Sequence, residues 1–489
     1  MTRRTCARRK GLNPDINNKE VRSMEKKIDW LDYDVEDMVT GDKDFLWHHL
    51  KPHKVFETAE QMIIIEGKGL VVKDIRGKEY LDATSGGVWS VMVGYGRGSI
   101  AEAVCDQMKK MPYFAGVFGN VPAIKFARKL LKKLPRHDKV FFSNSGSEAN
   151  EKAFKMVRQA SCIDPARKGK YKIMYRDRDY HGTTIGAMSA TGQAQRKHDF
   201  GPFVEGFVEF PHCTCYRCPY DKTYGFCDIE CAKKIEDIIL KEGPDTIGGI
   251  IVEPITAGGG ILKPVLEYYP ILQEICRKYD IWLIMDEVVC GFGRTGTFWG
   301  HEHYDVDPDI ITMAKGLASS YEALSATVVK QKIYDIFLCD PSDPDTRLNY
   351  FRDISTYGGC TSAMVAALES TRIIEDENLL ANSVEMGAYL LEKLETLKKY
   401  DVVGDVRGQG LFAGIEFVLD KQTKEPITEA QMAELMGNVL AEGVIAGRTN
   451  SSFHGLNNIM NFAPSLIITK DQVDTIVGAV ESAIRKTFT

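Results

Sequence analysis

The sequence predicts an α/β protein: a mostly parallel sheet covered on both faces, with a smaller α+β region after it. Three observations carry this. Apolar runs of strand length recur between about residues 139 and 315 and alternate with helical stretches. Two of these runs end in a charge, Ile281-Trp-Leu-Ile-Met-Asp286 in a carboxylate and Asp309-Ile-Ile-Thr-Met-Ala-Lys315 in an amine. After about residue 345 the texture changes to long helices and glycine-punctuated strands.

Bulk properties narrow the function. The chain has 489 residues, 44% hydrophobic and 27% charged, which suits a large core and more than one domain. Lys+Arg number 62 against 68 Asp+Glu, a net charge of -6. Nucleic-acid binders are more often basic, so small molecules are the expected partners. No run of about 18 apolar residues exists, and no membrane span is expected. Residues 1–27 are polar and carry Arg3, Arg4, Arg8, Arg9 and Lys10 without an apolar segment behind them. They are expected to be a disordered extension outside the fold. The 12 cysteines, with no secretion signal, fit a reduced, cytoplasmic protein.

Element by element, residues 28–85 open with helix and loop. A strand pair follows, Met62–Ile65 and Leu70–Val72, around the turn Glu66-Gly67-Lys68-Gly69. Ser85-Gly-Gly-Val-Trp89 to Gly94-Tyr95-Gly96 is a glycine-rich loop, and a helix follows from about Ile100 to Met111. Within 86–345, strands are predicted at Lys139–Phe142, Lys172–Tyr175, Ile247–Val252 and the two charge-ending runs, with helices between. From 346 to 489 the pattern reads as a smaller domain. It has helices near 361–374 and 380–399, strands across Val402–Phe417, and a last helix from about Lys470 to Arg485.

In an open parallel sheet, ligands bind at the carboxyl ends of the strands. Lys315 and Asp286 would share that edge. The pair suits pyridoxal phosphate: an amine can form a Schiff base with the aldehyde, and a carboxylate can keep the pyridine nitrogen protonated. The bland alternative is a surface lysine and a loop-capping aspartate. Ser145-Gly146-Ser147 stands between a strand and a helix start, an anion site or simply a serine N-cap. Tyr180-His181-Gly182 could stack an aromatic on a planar cofactor, or plug the sheet edge. Glu253-Pro254 ends another strand, in the site or paired with a nearby loop. Residues 212–231 hold Cys213, Cys215, Cys218, Cys227 and Cys231 beside His212. The spacing approaches that of zinc ligands, but the gap is short and the second pair loose. The favoured reading is a compact insertion with free thiols, and no metal ligands are assigned.

Taken together, an ordered set resembles the class III pyridoxal-phosphate aminotransferases. It runs Ser145-Gly-Ser-Glu-Ala149, Tyr180-His-Gly182, Glu253-Pro254, Asp286-Glu-Val288, Gly291-Phe-Gly-Arg-Thr-Gly296, Lys315-Gly316, Ser355-Thr-Tyr-Gly-Gly359, Val406-Arg-Gly-Gln-Gly410 and Pro464-Ser-Leu-Ile-Ile468. The resemblance spans roughly residues 45–485. It implies the type I transferase fold, with a seven-stranded sheet in the large domain, a small domain from both chain ends, and a homodimer or tetramer. It implies that Lys315 carries the cofactor and shuttles the proton, and that Asp286 pairs with the ring nitrogen. Val288 and Tyr180 would pack on the two ring faces. Ser145, Gly146 and Ser147 would bind the phosphate, joined by Thr356 from the partner subunit, with His181 and Glu253 beside the cofactor. Arg448 would grip a substrate acid group, with Glu253 as its partner otherwise, and Trp89 would narrow the pocket. Cys360-Thr361 departs from a frequent Asn-Pro pair, and the stretch 449–458 is longer and more polar than usual. Gly87-Val-Trp89 with Gly94-Tyr-Gly-Arg97 is similar to the branch using ω-amino acids and pyruvate. The stretch Trp30–His49 and the cysteine insertion look most like its taurine-using members. Taurine is therefore the expected donor and pyruvate the acceptor. The alternatives are β-alanine, another ω-amino acid or amine, and a same-fold aminomutase or decarboxylase.

Overall fold

In the computed structural model, residues 32–449 and 458–488 are described. The predicted extension 1–27 and most of the polar stretch 449–458 lie outside them. The chain forms two compact units. The first holds the described residues up to Ile65, with Lys73–Lys78. Its helix Val35–Phe45 is capped by Asp34, whose side chain accepts the Asp37 amide at 2.9 Å. Within this unit Arg76 is held by Glu60 and Glu36. The second unit takes Glu66–Val72 and Glu79 onward. The expected large and small domains, 86–345 and 346–489, both lie in it.

A small sheet comes first in the chain, from β1 (Ile64–Lys68), β2 (Val71–Asp74) and β3 (Glu79–Asp82). The turn expected over Glu66–Gly69 starts later, because strand structure runs on through Gly67 and Lys68. Gly67 is required there: a Cβ would lie 2.7 Å from the Tyr95 ring.

The large sheet is built from β4 (Lys139–Ser143), β5 (Lys172–Arg176), β6 (Phe207–Phe210), β7 (Ile247–Val252), β8 (Trp282–Asp286), β9 (Ile310–Met313) and β10 (Ser325–Val329). Their order is β4-β10-β9-β8-β7-β5-β6. The β9–β8–β7–β5–β6 ladder is parallel, and β10 runs antiparallel to both of its neighbours. This is the predicted mostly parallel seven-stranded sheet. The central strands β7, β8, β9 and β10 are buried at every position, which is why they read as unbroken apolar runs. β6 and β10 were not expected from the sequence.

A third sheet, in the order β11-β12-β15-β14, closes over the carboxyl edge. It comprises β11 (Val403–Gly408), β12 (Ala413–Phe417), β14 (Gly447–Arg448) and β15 (Ile459–Phe462). β13 (Val444–Ile445) instead joins β3 in the first sheet, in parallel. The fully buried Arg294 of the glycine-rich stretch 291–296 ties these layers together. Its Nη1 donates to the Leu411 carbonyl at 2.9 Å and to the Pro464 carbonyl at 2.5 Å, and its Nη2 donates to Ser85 Oγ at 3.1 Å.

Candidate active site

β4, β5, β7, β8 and β9 all present their carboxyl ends to one edge. Asp286 closes β8, and Lys315 follows β9 by two residues. Glu253 follows β7, Tyr180 and His181 follow β5, and the helix Gly146–Ile163 starts after β4. One edge thus collects an amine, two carboxyls, an aromatic ring and a helix N-terminus.

Asp286 is 2% exposed. Its Oδ2 accepts from Asn150 Nδ2 and His181 Nδ1, each at 2.8 Å, and its Oδ1 accepts from the Val288 amide at 3.0 Å. A carboxylate, acceptor on every side, is the partner three N–H groups require. Asn150 is oriented in turn. Its Oδ1 accepts from Thr312 Oγ1 at 2.6 Å, and its Nδ2 also donates to the His181 carbonyl at 2.7 Å. Sequence reasoning missed Asn150. It stands one residue beyond the motif ending at Ala149, and nothing local marks its reach to Asp286. Because His181 Nδ1 donates to a carboxylate, Nε2 is left as the acceptor, and it has no partner among the described residues.

Lys315 lies at φ +44, a left-handed backbone that non-glycine residues seldom adopt. Its Nζ stands 5.5 Å from the Trp89 ring centroid. Burial pulls the lysine below the ordinary amine range, against the pull of Glu253 and Asp286. Trp89 is also at positive φ, +63. Its loop is organised by Asp82, which accepts the Thr84 amide at 2.7 Å and the Gly86 amide at 2.6 Å. The indole Nε1 donates to Asn461 Oδ1 at 3.1 Å, and the ring packs edge-on to Phe412.

Glu253 is 3% exposed. Its two oxygens accept the Tyr180 amide at 2.8 Å and the Ala257 amide at 3.1 Å. Burial, with Asp179 and Asp286 nearby, pushes it well above the usual carboxylate range. Beneath it lies the fully buried Arg176. It bonds Asp179, the Glu253 carbonyl at 2.6 Å, Tyr269 OH at 3.1 Å and Cys213 Sγ at 3.4 Å.

The pairing of Glu253 with Arg448 expected from the resemblance is not found. The ion pair made by Arg448 is with Glu429. The reason is strand register. In the β14–β15 ladder Gly447 faces Asn461 and Arg448 faces Met460. Cross-strand partners share a sheet face and successive residues alternate. A Cβ on Gly447 would fall 2.1 Å from Asn461 Oδ1, so Gly447 and Asn461 form the face toward Trp89. Arg448 leaves from the other face.

At the helix start, Ser145 Oγ caps the helix by accepting the Glu148 amide at 3.2 Å. Ser147 Oγ accepts the Thr183 amide at 3.0 Å. A Cβ on Gly146 would press on Val288 at 3.0 Å, so the bare backbone forms a shallow cradle beside Val288. These features fit pyridoxal phosphate: an amine for its aldehyde, a donor-held carboxylate for its ring nitrogen, and a helix N-terminus with small residues for its phosphate. Thr356 lies exposed in a turn, with exposed Tyr357, Phe114 and Phe118 near it.

The insertion's five cysteines line one small cavity. Burial raises the Cys213 thiol to about 11 and the Cys231 thiol to about 12. Among the described residues no group of three His, Cys, Asp or Glu is arranged to hold a metal ion.

Comparison with known proteins follows the same lines. The aminotransferase class-III family model matches residues 55–484. A hypotaurine/taurine–pyruvate aminotransferase of Paracoccus denitrificans is 51% identical over 457 residues, covering 93% of this chain and 98% of that one. A taurine–pyruvate aminotransferase of Bilophila wadsworthia is 52% identical over 457 residues, with the same coverage. The crystal structure of a Bacillus anthracis aminotransferase superposes with a TM-score of 0.87 at 42% identity, over 92% of this chain and 98% of that one.

Proposed function

Because the chain belongs to the class-III aminotransferase family, we propose that it moves the amino group of taurine to pyruvate, giving sulfoacetaldehyde and alanine. The observation that carries the donor assignment is identity of about half over nearly the full length of taurine-using relatives.

Pyridoxal phosphate, bound at the strand edge, supplies an aldehyde for the amine and a ring that takes up an electron pair. In this reading Lys315 holds that aldehyde until the donor displaces it. The freed Nζ then takes the proton from the amine-bearing carbon and delivers it to the cofactor carbon. A lysine pulled down by burial suits both roles, since its neutral form is more accessible. Asp286, aimed by Asn150, His181 and the Val288 amide, holds the ring-nitrogen proton. Val288 and Tyr180 flank the ring, with Gly146 and Ser147 at the phosphate. Trp89, held by Asn461, roofs Lys315 and limits the donor's bulk. The second half-reaction runs the same groups in reverse with pyruvate, so ping-pong kinetics are expected.

We further read the protein as a cytoplasmic oligomer, at least a homodimer. The eleven described cysteines are all free thiols, and no described helix is long and apolar enough to cross a membrane. Exposed Thr356 among exposed aromatics supports a partner subunit's use of that residue at its phosphate site.

The test is spectroscopic. Taurine added without acceptor should bleach the visible band of lysine-bound cofactor, and pyruvate should restore it. Bleaching by β-alanine or another amine but not by taurine would discard the donor. Turnover without any keto acid would point to a different reaction on the same fold.

A further inference from the structure

Taurine and pyruvate each carry a fixed negative charge that must be held while the nitrogen is transferred. The site therefore needs a cation that no protein carboxylate already neutralises. Arg448 does not meet that description, being paired with Glu429 on the outer face of its strand. Arg196 does.

Arg196 lies in the short helix Ala194–Lys197, beyond the Tyr180 turn. Its guanidinium stands 4.8 Å from the centre of the Tyr180 ring. Its charge is felt at Lys315, where it opposes the ammonium form. The side chain is half-buried, and burial depresses it below the ordinary guanidinium range. Among the described residues no carboxylate counters this, the opposing influence being the Tyr180 phenol. A desolvated cation without a counter-charge is costly, and an anionic ligand would relieve that cost.

The orientation is also set. Arg196 Nε donates to Gln193 Oε1 at 2.8 Å. Gln193 is itself buried, and its Nε2 donates to the Arg178 carbonyl at 3.2 Å. With Nε engaged, the two Nη groups remain as a fork at the end of the side chain.

We propose that Arg196 anchors the substrate's acid group, the sulfonate of the donor and the carboxylate of the acceptor in turn. The proposal rests on the taurine–pyruvate reading above. Two Nη donors match two oxygens of either group, so one residue can serve both half-reactions. The long, jointed stem lets the fork follow an acid group that lies at different distances from the nitrogen in the two substrates.

The test uses holoenzyme of the parent, Arg196→Gln, Arg196→Lys and Arg448→Gln. Ethanesulfonate, which has the acid group and no amine, is titrated calorimetrically. Kinetics are measured with taurine and with n-propylamine, which has the amine and no acid. In Arg196→Gln the ethanesulfonate affinity should fall about tenfold or more, and the taurine-to-propylamine ratio of kcat/KM by a similar factor. Arg196→Lys should fall between. A retained cofactor spectrum and thermal midpoint show that the variant has folded. Parent-like ethanesulfonate affinity in Arg196→Gln overturns the proposal. So does an equal loss on both amines, which marks a purely structural role through Tyr180. Loss of affinity in Arg448→Gln alone overturns it too. If the parent neither turns over taurine nor binds ethanesulfonate, the donor reading has failed. The same titration with propionate, a carboxylate, then decides for or against Arg196.

Discussion

Asn150 Nδ2 lies 2.8 Å from Asp286 Oδ2, across 136 residues of sequence. Thr312 fixes the direction of that amide by donating to Asn150 Oδ1. An Asn150→Ala change would remove a donor from a buried carboxylate and release Asp286 to turn. We expect kcat to fall about tenfold to a hundredfold, from the loss of a hydrogen bond to a charged group, with less effect on the taurine KM. The bound cofactor's absorbance should titrate at a shifted pH. Loss of activity with an unchanged spectral titration would argue against a role through Asp286.

Lys315→Ala should abolish alanine formation from taurine and pyruvate while the protein still binds cofactor. Retention follows from the groups Lys315 does not supply: the helix start at Gly146–Ser147, Tyr180 and Asp286. Cofactor content after dialysis, read beside turnover, checks this. Near-parent turnover would refute the role of Lys315.

How much of this was legible in the sequence follows from what each residue does. Charges that end apolar runs announce themselves, so the strand-end placement of Asp286 and Lys315 could be read directly. The strand β10 could not. Its Ser-Ala-Thr-Val-Val composition is weakly apolar, and it runs against its neighbours rather than continuing the strand–helix alternation. Asn150 and Asn461 are polar residues that act through space, and no local pattern marks them. Arg448 shows the limit most sharply. In a strand pair one residue of register decides which face a side chain leaves from. Here Gly447, not Arg448, holds the inward position.

The Arg176–Asp179 pair is fully buried beneath Glu253 at 3.1 Å. Arg176→Met would leave Asp179 charged and unpaired and would free the Glu253 carbonyl, Thr256 and Tyr269. We expect a loss of about 3–5 kcal/mol in denaturant unfolding. Changing Asp179 to Asn as well should recover part of it. No recovery would mean that packing of the guanidinium, not charge, dominates.

His212 yields a pH prediction. Burial, then the charges of Arg178 and Arg176, push its imidazole from the ordinary 6.5 down to about 3. Its folded pKa is thus depressed, so the unfolded chain takes up the proton first. The stability it protects is fully present above pH 6.5 and is lost as pH falls from there toward 3. His212→Asn should flatten the stability–pH curve in that window, and urea unfolding at pH 7.5 and pH 5 checks it. Parallel curves for parent and variant would assign the acid sensitivity to other groups.

Gly447 is the most direct handle on the roof over Lys315. Asn461 is 1% exposed, and its carboxamide occupies the space where a side chain at 447 would begin. Gly447→Ala would put a Cβ 2.1 Å from Asn461 Oδ1, so the carboxamide must move. Trp89 would lose the acceptor of its indole N–H, which lies at 3.1 Å. The overpacking should cost about 1–3 kcal/mol of stability. Asn461→Ala removes the same acceptor without the clash. If the hydrogen bond positions Trp89, both variants should share a kinetic defect: a raised taurine KM and weaker rejection of bulkier amines, with only Gly447→Ala showing the larger drop in stability. A kinetic defect confined to Gly447→Ala would trace to strand distortion, and Trp89 would then be held by its packing on Phe412 rather than by Asn461.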